Sequence, residues 1–165
     1  MSHKTLDHKT PAATRDVFLA TLYRDAPSQL WLEIRCIHPK NNKPHVLWSQ
    51  INNKKQLEYQ LGEAHRLNQT GYGIYFAPCL RNQRKGNAES AAIVPALWVD
   101  IDCEDDINQR LIALDKLQHF KPPPSIILNS GGGWHGYWLL DQPYLLESNE
   151  NRQKISGILN GLFSS

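Results

Sequence analysis

SIILNSGGGWHGYWLL, residues 125–140, sets two apolar runs on either side of three consecutive glycines. Gly131, Gly133 and Gly136 satisfy G-x-G-x-x-G, which marks a dinucleotide-binding turn when it joins a strand to a helix. The strand is there in SIILN. The helix is not: WHGYWLL is aromatic, alternating and bounded by Asp141 and Pro143, the chemistry of a second strand. No Gly-Lys-Ser/Thr follows, which excludes a P-loop as well. The stretch therefore reads as a glycine-hinged hairpin. Alternation puts His135, Tyr137 and Leu139 on one face and Trp134, Trp138 and Leu140 on the other. A histidine thus stands at the mouth of the turn, where taken alone it is most simply a hydrogen-bonded turn residue.

Working upstream, EDDINQRLIALDKLQHF is the clearest helix, with acids in its first turn and Ile107, Leu111, Leu114 and Leu117 as one stripe. KPPP ends it. Before it comes the strand IVPALWVDID, preceded by the polar, basic loop RNQRKGNAES and the strand YGIYFAPCL. Leu57, Leu61, Ala64 and Leu67 predict a helix over Lys54–Leu67, closed by Gly71. QLWLEIRCIHP and VLWSQI read as a hairpin turning at KNNKPH. A first helix starts at Pro11, with Thr10 as its cap, and a last one starts near Ser148. Residues 1–10 read as a flexible arm, and 11–165 as one domain ending just after a helix, as a truncated chain would. Hairpin-linked strands mixed with helices predict an α+β fold on an antiparallel or mixed sheet.

At 165 residues the chain supports one core, and its net charge of +2 gives no bulk drive toward nucleic acid. Cys36, Cys79 and Cys103 form no C-x-x-C pair, and no apolar leader follows Met1, which favours a reduced, cytoplasmic setting. No run is long enough for a membrane helix.

ALWVDID changes the weight of the hairpin histidine. Asp100 and Asp102 lie two apart, so a strand projects both from one face, while Val99 and Ile101 point the other way. Hard carboxylate oxygens at that spacing suit Mg²⁺ or Mn²⁺, the usual apparatus of phosphoryl transfer. The plainer alternative is a strand end that caps the next helix, but Glu104, Asp105 and Asp106 can do that without help. Two aspartates inside an apolar run repel each other, so a metal role is the stronger reading.

LWVDID, with SGGGWHGYW about thirty residues later, resembles the archaeo-eukaryotic primase superfamily, specifically the primase-polymerases of plasmids and phages. That family carries an hhh-D-h-D strand and a histidine motif on a neighbouring strand, and the likeness spans roughly residues 29–160. It implies a small RRM-like sheet flanked by helices, with an N-terminal α/β portion. It also implies template-directed nucleotidyl transfer with Mg²⁺ or Mn²⁺, the metals held by Asp100 and Asp102. His135 would touch the triphosphate, with Ser130 and the Gly131, Gly132 and Gly133 amides close by; a glycine-rich turn is a natural anion nest. The implied partners are nucleoside triphosphates, a single-stranded DNA template and a helicase domain or protein.

Two features depart from the family pattern. Gly133 stands where the family has a serine two positions before the histidine. The family's third carboxylate, on a strand after the next helix, has no counterpart: Asp141 follows His135 too closely, and Glu147 and Glu150 sit at or in the last helix. The third acid is expected beyond Ser165, or the chain is a short relative with an incomplete site. That leaves a rival, a replication-initiation or single-stranded-DNA-binding module of the same fold, in which Tyr72, Tyr75 and Tyr137 stack bases. A metal-dependent nuclease is a third possibility. Arg81, Arg84 and Lys85 form the one dense basic cluster, open to two readings: a grip on phosphates or a solvated loop. Cys36, His38 and His45 are three zinc-type ligands without a fourth, and are rejected as a zinc site.

Overall fold

A computed structural model describes residues 11–103 and 106–163. The expected N-terminal arm, its Thr10 cap, and Glu104 and Asp105 lie outside these residues.

The chain runs α1 (Pro11–Leu22), β1 (Trp31–His38), β2 (Asn41–Gln50), α2 (Lys54–Gln69), β3 (Gly73–Phe76) and β4 (Leu80–Arg81). It continues through β5 (Ala91–Asp102), α3 (Ile107–His119), β6 (Ile126–Asn129), β7 (Gly133–Leu145) and α4 (Asn149–Phe163). The strands form one seven-stranded sheet in the order β2-β1-β4-β5-β7-β6, with β3 also on β1, and every pairing is antiparallel. The fold is α+β, as expected.

Alternation gives the sheet two apolar faces. On one, Leu32, Ile34, Cys36, Ile93, Ala96 and Tyr137 pack with Phe18, Leu19, Leu22 and Tyr23 of α1 and Ala64 and Leu67 of α2. On the other, Val99 and Trp138 meet Leu117 of α3, while Val94 packs with Leu146 and with Ile155 of α4.

Several local expectations shift. The first hairpin reverses at Pro39–Lys40, so most of KNNKPH belongs to β2; Pro44 is tolerated there because β2 is a sheet edge. YGIYFAPCL is two short strands, interrupted around Pro78, which has no N–H for a ladder. β7 runs on through Pro143 to Leu145, and its register against β5 slips between Val94↔Tyr144 and Ala96↔Leu139, where Pro95 and Pro143 each lack a donor. Helix α3 buries Ala113 and Leu117, whereas Ile107 and Leu111 of the expected stripe are 72% and 61% exposed. Its approach to the sheet is close: a Cβ on Gly136 would lie 2.9 Å from Leu117 Cδ2. The small Ala113 suits so close an approach.

Candidate functional site

Strand β5 ends in alternating apolar and acidic residues. Val99 is buried against α3, while Asp100 and Asp102 are exposed on the opposite face. Antiparallel pairing sets Asp100 directly across from His135 and Asp102 across from Gly133. His135 Nε2 lies 3.0 Å from Asp100 Oδ1, with the two side chains 25% and 54% exposed. The same imidazole has Nδ1 3.3 Å from the Tyr137 hydroxyl. Tyr137 is buried, and burial, followed by the Asp100 charge, raises its pKa well above the usual phenol value. Its phenol therefore stays protonated beside the histidine. Asp100 and His135, 35 residues apart in sequence, are thus joined at one end of the α1-covered face.

The glycine turn connects β6 to β7, and each glycine has its own reason. Gly131 has φ +96°, a left-handed conformation that favours glycine. Gly133 passes so close to β5 that a Cβ would sit 1.9 Å from the Ile101 carbonyl oxygen. Gly132 faces open space. The turn is closed by its own hydrogen bonds: Gly131 N donates to Asn129 Oδ1 at 2.9 Å and Ser130 N to Gly133 O at 3.1 Å. Cys103 N donates to Gly132 O at 3.0 Å, tying the turn to the end of β5. The Gly131 amide of the expected anion nest and the Ser130 amide beside it are therefore engaged within the turn, and Ser130 is exposed.

Arg110 of α3 completes the turn and was not singled out from sequence. Its guanidinium donates to Gly131 O and, at 3.0 Å, to Asn129 Oδ1, and it lies over the Trp134 ring, whose Nε1 donates back to Arg110 O at 3.0 Å. Asp106 starts the turn that carries Arg110, its carboxylate accepting from Asn108 N and Gln109 N.

The basic cluster divides. Arg81 is 7% exposed and locked to the buried Glu33, Nε to Oε2 at 2.5 Å, with Nη1 on Asn87 O at 2.7 Å. Arg35 takes the other oxygen of Glu33 at 2.6 Å and reaches Gly86 O at 3.3 Å. This carboxylate with two guanidiniums clamps the 82–90 loop onto the sheet. Arg84 and Lys85 are exposed, Arg84 standing over the Trp31 ring at 5.1 Å. The structure thus brings Asp100 and His135 together and gives Arg81 a structural partner instead of a free charge. Of the tyrosines considered for base stacking, Tyr75 is well exposed, Tyr72 is half-buried against His38, and Tyr137 belongs to the core.

A cavity of about 670 Å³ opens beside the acidic strand end. All five residues from Val99 to Cys103 line it, which places it along the strand's edge, because successive residues face opposite ways. Ile112, Leu117 and Phe120 form its apolar wall.

Asp100 and Asp102 supply two accessible carboxylates. Mg²⁺ keeps several waters and takes one or two carboxylates plus substrate phosphates, so this donor set fits a divalent cation held partly by substrate. Among the described residues no three His, Cys, Asp or Glu side chains gather as a self-contained metal cage, and this includes Cys36, His38 and His45. No helix among them is long and apolar enough to cross a membrane. Comparison with family models, curated proteins and solved structures returned no match.

Proposed function

We propose that this chain is the primase-polymerase-like core of a template-directed nucleotidyl transferase. In this reading it acts in the cytoplasm on nucleoside triphosphates and a single-stranded DNA template, in concert with a helicase domain or protein. The observation that carries it is the register pairing of Asp100 with His135, with Asp102 one pleat further along the same face.

Asp100 and Asp102 would hold Mg²⁺ or Mn²⁺, which supplies activation of a 3′-hydroxyl and charge stabilisation at the leaving pyrophosphate. His135 presents Nε2 beside those carboxylates, where it would meet a triphosphate oxygen and orient it. The glycine turn fixes where His135 stands, because Gly133 allows β7 to press against β5. Catalysis in this scheme is chiefly positioning and electrostatics.

The test is incorporation of labelled nucleotide on a single-stranded template with Mg²⁺ or Mn²⁺, comparing wild type with Asp100→Ala and Asp102→Ala. Extension by wild type alone supports the proposal. Shortening of the strand selects a nuclease. Salt-sensitive DNA binding without incorporation selects the binding module, and extension by the double variant overturns the assignment of the acids.

A further inference from the structure

His135 is held at both ring nitrogens. Nε2 faces Asp100 Oδ1 at 3.0 Å, and Nδ1 faces the Tyr137 hydroxyl at 3.3 Å. Each ring nitrogen has a polar partner, so the two contacts together fix the plane and rotation of the imidazole. The tyrosine is itself fixed: it is 2% exposed, and its ring packs on Phe18 of α1 at 5.1 Å. A chain therefore runs from α1 through Tyr137 to His135 and Asp100, linking a helix at the start of the chain to the candidate site.

We propose that Tyr137 is a positioning residue whose hydroxyl holds the His135 ring at Nδ1, so that Nε2 is directed to the Asp100 side where triphosphate binds. The inference rests on the nucleotidyl-transfer reading for its ligand, but the ring contact can be measured without any ligand. Tyr137 belongs to the hydrophobic core, and the same residue would be present if it served packing alone. Its hydroxyl is what separates the two roles.

The experiment pairs wild type with Tyr137→Phe, which keeps the ring and removes the hydroxyl. Long-range proton–nitrogen NMR of the protein reads the surroundings of His135 Nδ1. The wild type is expected to show a hydrogen-bonded Nδ1, and the variant a shifted Nδ1 resonance. Nucleotide incorporation is expected to show KM for the triphosphate raised about 10-fold, the order typical of losing an orienting partner, with a smaller change in kcat. A wild-type Nδ1 with no hydrogen bond overturns the proposal, even if the variant does not fold. So does a variant with unchanged Nδ1 resonance and KM and only a lower melting temperature. If the protein incorporates no nucleotide, the functional reading fails, while the NMR result still decides the role of Tyr137.

Discussion

Asp100 and His135 are cross-strand partners in the β5–β7 ladder, and their side chains meet at 3.0 Å on the exposed end of a face that is otherwise apolar core. Neither residue owes this contact to its neighbours in sequence; it is made by register. A one-residue slip would send His135 to the Trp134 and Trp138 face, so whatever fixes the register also fixes the site.

If the nucleotidyl-transfer proposal holds, Asp100→Ala is expected to lower nucleotide incorporation by about 100-fold or more, the effect of losing a metal-holding group. The side chain is more than half exposed, so unfolding free energy should stay within about 0.5 kcal/mol of wild type. Single-turnover incorporation and urea denaturation check the two halves separately.

The glycine turn should show three different sensitivities. Gly132→Ala meets open space and should be nearly neutral. Gly131→Ala must hold φ +96° and should cost about 1–2 kcal/mol. Gly133→Ala drives a methyl into the Ile101 carbonyl and should cost about 3 kcal/mol or more, because backbone must move. Thermal melts of the three variants test this order, and an equal loss at all three would refute it.

Glu33 sits buried between Arg35 and Arg81. Glu33→Ala leaves Arg81 charged, buried and unpaired, at an expected cost of about 3–5 kcal/mol. Arg84→Ala removes only an exposed contact with Trp31 and should cost less than about 1 kcal/mol. Chemical denaturation separates them, and limited proteolysis should cut the 82–90 loop faster in the Glu33 variant.

Tyr23 is fully buried, with its hydroxyl donating to Ala77 O at 3.2 Å, and burial raises its pKa well above 10. A raised folded pKa means that the folded state keeps the proton longer than the unfolded chain. The stabilisation is complete below about pH 10 and falls as pH rises toward the folded value, by about 1.4 kcal/mol per pH unit for this group. Tyr23→Phe should flatten the loss of stability above about pH 10 while costing about 1 kcal/mol at neutral pH. Urea midpoints across the alkaline range supply the measurement.

Much of this was written in residue pattern. WHGYWLL declared itself a strand by alternation, and Asp100 and Asp102 declared a shared face by their spacing. The register was not legible, because it depends on Gly133 meeting Ile101, a contact between segments far apart in sequence. Arg81 was misleading for a related reason: sequence shows a basic loop but not the Glu33 carboxylate that neutralises it from β1. On α3, Ile107 and Leu111 matched a helical stripe as well as the residues that are buried, since apolar period alone does not say which of two overlapping stripes faces the sheet. Arg110 carried no signal by itself, because its partners are a backbone carbonyl and an asparagine across a hairpin.

Strand β4 is only two residues long, yet it is the sole ladder joining β1 to β5 among the described residues. By pairing, the sheet is two broader plates, β2-β1-β3 and β5-β7-β6, riveted at Leu80 and Arg81, and one apolar core draws residues from both. Glu33 and Arg81 span the rivet with opposite buried charges. Through Leu80 and Arg81 the plate that carries Asp100 and His135 is laced to β1, so a buried ion pair far from the acids in sequence stands at the joint of their platform.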